Sequence, residues 1–421
     1  MKAEIIAVGT ELLLGQIVNT NAQYLAEQCA SIGVDVYFQT VVGDNAERIE
    51  AALRIAKERA DLIICTGGLG PTQDDLTKDV LAQHLGLPLA THEPSLAKIV
   101  SNFRARGVEM VESNARQALI LAGSEPLPND TGLAVGVAVS AGGTHYVLLP
   151  GPPSEMKPMF ETYAKRWIIG KLKSGSAPLY SKHLKFAGIG ESTLEHRLID
   201  LIEGQTDPTI APYAKEGEVT IRLTTRASSE AEAMAKLAPV QREIERRVGN
   251  HLYAEEDEPI ERTIVRTMSE LGLTLALAES CTGGLVGELI TAVPGSSRLF
   301  LGGVVCYSNT LKNRLLQVPT GLLEGPESPG AVSAETAAEM AENVRRIAGA
   351  DFALSVTGVA GPDPSEGKPV GLVYVGVARK GAPPSVDKLQ LSGSRETIRL
   401  KAAKHALFRL WQQLKRPVEH G

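Results

Sequence analysis

The hydrophobic residues in the first part of the chain form short strands that alternate with amphipathic helices. Strands are predicted at Ala3–Val8, Val34–Val42 and Leu62–Cys65, and helices at Thr20–Ile32, about 45–59 and about 74–85. The apolar stretches 134–140 and 145–149 flank a glycine pair and predict a hairpin, which a helix from near Ser154 follows. Because helices connect successive strands, this pattern is typical of right-handed βαβ units around a mainly parallel sheet.

The middle of the chain has a different order of elements. The pattern predicts a strand at Lys182–Ala187, a helix at Glu191–Ile202, a hairpin of Thr209–Lys215 with Glu218–Thr225, and a charged helix over about 230–248. Small α+β domains have this order, KH-like RNA-binding modules among them, but such modules need a GxxG clamp between helices. Gly188-Ile189-Gly190-Glu191 does not supply that clamp. A spacer or site-completing role is therefore favoured over RNA binding.

An acidic segment, residues 253–259, follows the middle region and predicts an exposed linker. Beyond it strands and helices alternate again up to a long amphipathic helix, Glu396–Leu414. We therefore expect three domains, at 1–172, 173–252 and 260–421. The expected fold class is α/β, with a parallel-sheet first domain, a small α+β (KH-like) middle domain and an α/β third domain.

Composition and charge narrow the possible functions. With 421 residues, 43% hydrophobic and 22% charged, the chain is long enough for about three folded domains. A net charge of -6 argues against a broad nucleic-acid-binding face. The first residues lack the pattern of a signal peptide, and no apolar run reaches membrane-spanning length, so a cytoplasmic protein without membrane contact is expected. The four cysteines are isolated, which argues against a zinc cluster or a disulfide framework.

The densest motif, residues 66–77, lies where a buried strand is followed by a helix. Its glycines let backbone N–H groups and the positive end of the helix dipole approach a phosphate. Asp74 and Asp75 would repel that phosphate unless a divalent cation such as magnesium lay between them. An ordinary helix start also fits, with Thr72 as the cap and Asp75 completing a capping box. The spacing alone leaves both interpretations open.

Ser280 lies at a second turn of this kind, between the predicted strand Leu273–Ala278 and the helix Leu285–Thr291. A nucleophile there would place its oxyanion near unpaired backbone N–H groups at the helix start. From the motif alone, a serine that caps the helix is the simpler explanation. Cys281 is intrinsically more reactive, but no His–Asn partner set accompanies it.

A serine nucleophile needs a base, and the candidate is Lys312. A lysine that is removed from water can lose its proton near neutral pH, and Tyr307 could relay or orient that proton. Lysines on helices are usually solvated, so the residue pattern alone does not decide the role of Lys312.

Three motifs of the first domain, VGTELLLGQIVNTN, GGLGPTQDDLT and PGPPSEM, resemble the MoCF-like (molybdopterin-binding-type) domain of CinA proteins. Members of this kind are linked to metal-dependent hydrolysis of ADP-ribose to AMP and ribose 5-phosphate. The resemblance implies that Asp74 and Asp75 bind the metal and that Lys78 neutralises charge. The other positions that match the substrate- and phosphate-binding motifs are Glu11, Asn19, Asn21, Gly67, Gly68, Gly70, Pro71, Thr72, Gly151, Pro152, Pro153 and Glu155.

The third domain resembles the nicotinamide-nucleotide amidases (the PncC or CinA carboxy-terminal family) in AESCTGG, YSNTLK, GAVSAET, SVTGVAGP and KPVGLVYVGV, which occur in the same order. The resemblance implies that Ser280 is the nucleophile and Lys312 its base, that Tyr307 assists, and that no metal is needed. Arg395 and Arg399 are candidates to hold the 5′-phosphate, with plain surface solvation as the alternative. The residues implied to shape the oxyanion loop and the substrate pocket are Thr282, Gly283, Gly284, Asn309, Thr357, Gly358 and Gly361.

Together the two resemblances imply a bifunctional, homodimeric enzyme of pyridine-nucleotide salvage that acts on nicotinamide mononucleotide and ADP-ribose. The alternative is a competence-linked adaptor whose first domain only binds a pterin-like ligand. DNA binding is the least favoured hypothesis because of the acidic net charge.

Overall fold

A computed structural model describes residues 1–172 and 177–415. The chain divides into two compact units, one of Met1–Tyr180 with Arg226–Glu232, the other of Ser181–Thr225 with the chain from Ala233 onward. The predicted α/β class is confirmed, since three separate sheets are each covered by helices. Within the described residues, no helix has the length and apolar character needed to cross a membrane.

A six-stranded sheet forms the centre of the first domain. Within residues 1–172, the first domain contains eight strands in all, six of them in this sheet. They are β1 (Lys2–Val8), β2 (Asp35–Val42), β3 (Leu62–Thr66), β4 (Leu89–Thr91), β5 (Leu119–Leu121), β6 (Glu125–Leu127), β7 (Gly136–Ala141) and β8 (Thr144–Leu149). The order across the sheet is β2-β1-β3-β8-β7-β6, and β4 pairs separately with β5. β1, β2, β3 and β8 are parallel, whereas β7 and β8 form the predicted hairpin. The central strand β3 is buried on both faces, which explains its continuous apolar run.

Helices cover both faces of this sheet. They are α1 (Thr10–Leu13), α2 (Thr20–Ser31), α3 (Ala46–Arg59), α4 (Thr77–Leu85), α5 (Glu93–Ala105), α6 (Pro153–Met159) and α7 (Lys165–Ile169). Ile63 packs with α3 and α4 on one face, and Leu62 packs with α2 and α6 on the other. The side chain of Asn19 caps α2 by accepting a hydrogen bond from the backbone N–H of Ala22. Residues 86–133, for which the pattern predicted no elements, contain β4, α5, β5 and β6.

The prediction that α4 begins at Asp74 is wrong, because α4 begins at Thr77. A carboxylate oxygen of Asp75 accepts hydrogen bonds from the backbone N–H and the hydroxyl of Thr72, at 2.9 and 2.5 Å. These bonds fold residues 72–75 into a turn before the helix starts. The capping box at Thr72 and Asp75, which the motif left open as the alternative interpretation, is not formed either, since neither side chain caps α4.

The middle domain has the predicted elements and one more strand. It consists of β9 (Leu179–Ala187), α8 (Glu191–Glu203), β10 (Thr209–Lys215), β11 (Glu218–Arg226), α9 (Glu230–Val248) and β12 (Leu252–Ala254). The sheet order is β10-β11-β9-β12, and both helices bury leucines on the same apolar core.

The expected exposed linker at 253–259 is only partly exposed. Tyr253 and Ala254 are buried in β12, which closes the sheet of the middle domain. Glu258 is buried as well, since it accepts a hydrogen bond from Thr263 and pairs with Arg266. Two of the carboxylates between these ends pair with lysines of β9. Sequence acidity predicted exposure here, but specific partners hold the segment in place.

The third domain is built on a five-stranded sheet. Its elements are α10 (Ile260–Leu271), β13 (Leu275–Glu279), α11 (Leu285–Thr291), β14 (Phe300–Val305), α12 (Asn309–Leu316), α13 (Thr320–Leu323), α14 (Ala334–Ala348), β15 (Phe352–Gly358), β16 (Leu372–Arg379), β17 (Ala382–Gln390) and α15 (Arg395–Leu414). The sheet order is β14-β13-β15-β16-β17, with β13 parallel to both of its neighbours. Leu277 faces the core shared with α10, α11 and α15, and Ala278 faces α14. The carboxyl ends of β13, β14 and β15 therefore meet at one edge, where α/β sheets place their ligand sites.

Candidate functional site

The carboxyl ends of three parallel strands bring Ser280 close to the segment that precedes α12. The backbone N–H of Ser280 donates to the carbonyl of Val356 at the end of β15, at 2.9 Å. The backbone N–H of Cys306, just after β14, donates to the carbonyl of Glu279 at 2.8 Å. These two bonds fix the turn after β13 between its neighbours, so Ser280 is held by backbone on both sides.

The amine of Lys312 lies at the hydroxyl of Ser280. The Nζ–Oγ distance is 3.1 Å, and the same Nζ donates to the carbonyl of Cys306 at 3.0 Å. Lys312 is only 2% exposed, and no carboxylate forms an ion pair with it among the described residues. Burial lowers the pKa of Lys312 below its ordinary value of 10.5. The arrangement is that of a serine hydroxyl beside a buried lysine amine.

The carboxylate of Glu279 occupies the amino end of α11. It accepts hydrogen bonds from the backbone N–H groups of Gly284, Val286 and Gly287, at 2.9, 3.1 and 2.9 Å. Ser280 therefore does not cap this helix, which removes the simpler explanation of that serine. The expectation that the helix-start amides serve the oxyanion is wrong for these three groups, because Glu279 already uses them. Sequence reasoning did not single out Glu279, although a glutamate directly before the turn is the signal that could have identified it.

Cys281 is not placed as a nucleophile. Its side chain is 6% exposed, and burial raises the pKa of its thiol to about 12. A thiol with such a pKa is almost fully protonated near neutral pH and is a poor nucleophile. All four cysteines of the chain are buried and free.

Two arginines on the first turns of α15 reach this edge of the sheet. Arg399 donates to the carbonyl of Thr282 at 2.6 Å. Arg395 donates to the carbonyl of Gly361 at 2.6 Å and to the hydroxyl of Tyr307 at 2.8 Å. Tyr307 is thus placed against Arg395, and the structure shows no hydrogen bond from it to the serine–lysine pair. Both arginines thus donate hydrogen bonds to backbone carbonyls of loops at this site. Neither the expected binding of a phosphate nor the alternative of plain surface solvation predicted these contacts.

The remaining residues predicted for this site have mostly structural contacts. The hydroxyl of Thr357 donates to the carbonyl of Ala331 at 2.8 Å, and a side chain at Gly358 would clash with Leu372. Asn309 is the first residue of α12, in contact with the carbonyl of Leu323. Thr282, Gly283 and Gly284 form the turn itself, and the Thr282 hydroxyl is buried without a hydrogen-bond partner among the described residues.

The first domain has a cavity of about 590 Å³ at the carboxyl ends of β1, β3 and β8. It is large enough for a nucleotide-sized ligand. The structure brings together here most of the residues that the resemblance implied for this domain. The predicted residues that line the cavity are Glu11, Asn19, Asn21, Gly67, Gly68, Gly70, Pro71, Asp74, Asp75, Gly151, Pro152, Pro153 and Glu155.

Three glycines of this cavity lie where a side chain would clash with neighbouring atoms. A Cβ at Gly67, where φ is +104°, would lie 2.1 Å from the carbonyl oxygen of Val8. At Gly68 and Gly70 a Cβ would clash with the side chains of Thr77 and Asp75. Asn21 crosses between two strand ends, since its Nδ2 donates to Thr66 and to the carbonyl of Gly151. Its Oδ1 is buried without a partner among the described residues, so it is available to a ligand.

The acidic residues of the cavity fit a magnesium ion only if phosphate completes its coordination. Within the described residues, no group of three His, Cys, Asp or Glu side chains lies close enough to hold a metal. One oxygen of Asp75 is already bonded to Thr72, whereas Asp74 is exposed at the cavity wall. Magnesium is commonly bound by one or two carboxylates together with substrate phosphates and water, and this donor set fits that mode.

Lys78 lies behind the glycine loop rather than in the main cavity. It is 4% exposed, and its Nζ donates to the carbonyl of Gln117 at 3.1 Å. Burial lowers its pKa to about 7, so it is a weaker cation than the resemblance implied. Thr72 is the other predicted residue outside the main cavity, where its bonds to Asp75 shape the turn.

Three family models match consecutive parts of this chain. They are "Probable molybdopterin binding domain" over residues 4–169, "Damage-inducible protein CinA KH domain" over 181–254 and "CinA C-terminal domain" over 257–414. The fold and the two sites thus define a chain with a MoCF-like, a KH-like and a CinA carboxy-terminal domain.

Relatives match this chain over nearly the whole length of both sequences. A protein of Geobacillus kaustophilus, provisionally named competence-damage inducible protein, is 50% identical over 414 residues, 98% of this chain and 99% of the relative. A Bacillus cereus protein of the same name is 49% identical over the same shares of both chains. The chain therefore belongs to the CinA family of competence-damage inducible proteins.

Two solved structures are similar to part of the chain. The CinA protein of Thermoplasma acidophilum, described as of unknown function, is 34% identical, with 40% of this chain and 97% of that chain covered and a TM-score of 0.37. A competence/damage inducible protein of Agrobacterium tumefaciens is 36% identical over 37% of this chain and 94% of its own, with a TM-score of 0.35.

Proposed function

We propose that the chain is a pyridine-nucleotide salvage enzyme whose third domain hydrolyses the carboxamide of nicotinamide mononucleotide. The observation that carries this proposal is the buried amine of Lys312 at 3.1 Å from the hydroxyl of Ser280. A lysine beside a serine, without a carboxylate partner, is suited to accept the serine proton. The resemblance of the surrounding motifs to nicotinamide-nucleotide amidases supports the choice of substrate.

The reaction is an acyl transfer in two halves. Lys312 takes the proton of Ser280 as the Oγ attacks the carboxamide carbon, and the C=O electrons move to the oxygen. The remaining amides of the turn, those of Cys281 and Thr282, are the candidate oxyanion donors. The C–N bond then breaks, and Lys312 returns the proton to the departing ammonia. In the second half, Lys312 takes a proton from water as the water oxygen attacks the ester carbon. The bond between that carbon and the Oγ of Ser280 breaks, and Lys312 returns the proton to Oγ, so that nicotinate mononucleotide leaves.

The arginines of α15 have two separable tasks in this proposal. Arg399 fixes the turn that carries the oxyanion donors, because it bonds the carbonyl of Thr282. Arg395 is exposed, and its guanidinium has donors left beyond its bonds to Gly361 and Tyr307. It therefore stays the candidate for the 5′-phosphate, and Tyr307 positions it.

Wild-type protein is expected to release ammonia and nicotinate mononucleotide from nicotinamide mononucleotide in equal amounts, also in the presence of a metal chelator. The variant Cys281→Ser should retain this activity within about threefold. The buried thiol takes part in no step of the proposed reaction, and the side chain of serine is only slightly smaller than that of cysteine. Coupled ammonia detection and chromatography of the nucleotides would measure both. Absence of product from wild-type protein would contradict the amidase proposal and favour the adaptor.

We also propose that the first domain hydrolyses ADP-ribose to AMP and ribose 5-phosphate. The supporting observation is the nucleotide-sized cavity, which combines a glycine loop at a strand end with five carboxylates, those of Glu11, Asp44, Asp74, Asp75 and Glu155. Backbone N–H groups of the loop can bind phosphate oxygens. A divalent cation, when bound, would neutralise the phosphate charge and activate water. Cytoplasmic location and a homodimer complete the proposal.

The variant Asp74→Ala is expected to lower ADP-ribose turnover by about 100-fold, which equals about 2.7 kcal/mol of lost transition-state stabilisation. Its fold should be unaffected, because Asp74 is exposed and outside any helix. Glu47→Ala, at an exposed carboxylate of α3 that does not line the cavity, is the matched control. Chromatographic separation of AMP and ribose 5-phosphate from ADP-ribose would measure turnover, and titration calorimetry would measure the binding of ADP-ribose. Tight binding without turnover in wild-type protein would identify a ligand-binding module instead.

A further inference from the structure

A buried ion cluster joins the middle domain to two helices of the third domain. Lys404 on α15 donates to Glu218 on β11 at 3.2 Å and to Glu261 on α10 at 2.6 Å. The three side chains are 7%, 7% and 12% exposed. The other oxygen of Glu218 accepts from the hydroxyl of Tyr253 and from the backbone N–H of Ile260, at 2.7 and 3.0 Å. One carboxylate of the middle domain thus holds α15, α10 and the segment between the domains.

Two glycines let the middle domain approach α15 closely. A Cβ at Gly188 would lie 2.1 Å from the ring of Phe408, and a Cβ at Gly217 would lie 2.9 Å from the Cβ of Lys404. Both glycines have positive φ, +69° and +83°. The ring of Phe408 also stacks on His251. The motif Gly188-Ile189-Gly190, which supplies no RNA clamp, therefore has a packing role against α15.

The same helix reaches the amidase site by its first turns. Arg399 holds the carbonyl of Thr282, two residues after Ser280. Lys404 follows Arg399 by five residues, which places it about 7.5 Å along the axis and about 140° around the helix. The middle domain thus contacts α15 through Lys404, and Arg399 on the same helix contacts the turn that follows Ser280.

We propose that the middle domain is a positioning element of the amidase site, acting through Glu218, Lys404 and Arg399. This inference rests on the proposed amidase function. A buried ion pair adds little net stability, but it can fix the register of the elements it joins. Here it sets the axial position of α15, and with it the reach of Arg399 to the turn. Glu218 and Lys404 are positioning residues, since neither touches the reacting atoms.

The test is the variant Glu218→Gln in the full-length protein, with Glu243→Gln as the matched control. Glutamine keeps the shape of Glu218, but its amide nitrogen cannot accept a hydrogen bond, so at least one of the three present donors loses its partner. Glu243 is also a carboxylate of the middle domain with cationic partners, but these are Arg246 and Arg247 on α9. The control therefore removes the same charge without touching α15.

Glu218→Gln is expected to lower kcat for ammonia release about tenfold per folded molecule, with KM nearly unchanged, because the turn is displaced rather than the substrate pocket. Amide hydrogen exchange over residues 280–287 should become faster, whereas Glu243→Gln should match wild type in both measurements. Exchange and kcat equal to those of the control would overturn the inference. If wild-type protein releases no ammonia, the proposed function fails by itself, and the exchange measurement still decides whether α15 transmits the contact.

Discussion

The variant Ser280→Ala is expected to lose ammonia release by about 10⁴-fold or more, the scale seen when a covalent nucleophile is removed. The hydroxyl is the group at 3.1 Å from the Lys312 amine, and alanine leaves that amine without its reaction partner. Stability should change little, because Ser280 caps no helix and its backbone N–H keeps the bond to Val356. Ammonia release and thermal unfolding, measured on the same preparations, test both statements.

Ser333→Ala is the matched control, since Ser333 is a helix cap of the same domain. Its hydroxyl accepts a hydrogen bond from the backbone N–H of Thr336 at the start of α14. Loss of this cap should destabilise the domain by about 1 kcal/mol while activity per folded molecule is kept. If Ser280→Ala behaved like Ser333→Ala, losing stability but not activity, the nucleophile assignment would be wrong.

Much of the fold was predictable because hydrophobic periodicity reports local structure directly. The helix Leu285–Thr291 was predicted with its observed bounds, and the hairpin 134–149 and the long last helix within two residues or so. The start of α4 was misjudged because the Thr72–Asp75 bonds compete with the helix for the same residues. Short strands such as β12 were missed because three residues carry too little periodicity.

The site was less predictable, because its contacts join residues far apart in sequence. Ser280 and Lys312 are separated by 32 positions, and no spacing rule says that their side chains meet. The resemblance suggested that pair, but not the carboxylate of Glu279 on the amides of α11. It also gave no hint that Arg399 bonds a backbone carbonyl, since an arginine's partner depends on which loop the fold brings to it.

Lys312→Met is expected to reduce ammonia release by about 10³-fold or more, since it removes the proposed base while keeping an apolar stem of similar length. In wild-type protein kcat/KM should rise with pH, with an inflection below the ordinary lysine value of 10.5, because burial lowers the pKa of the amine. The sign follows from the neutral amine being the active form: as pH falls through its folded-state pKa, the amine takes up a proton. The same protonation makes the folded state less stable relative to Lys312→Met at low pH, and the difference should shrink as pH rises toward 10.5.

Two further variants test whether Lys312 acts as a proton acceptor or only through its positive charge. Lys312→Arg keeps the charge but cannot lose its proton near neutral pH, so it should be as inactive as Lys312→Met. Glu366→Gln should shift the inflection of kcat/KM to lower pH, because the Glu366 charge raises the pKa of Lys312 and its loss removes that effect. Stopped assays across the pH range would measure both. Activity in Lys312→Arg near the wild-type level would show that charge alone suffices, and the amine of Lys312 would then not be the base.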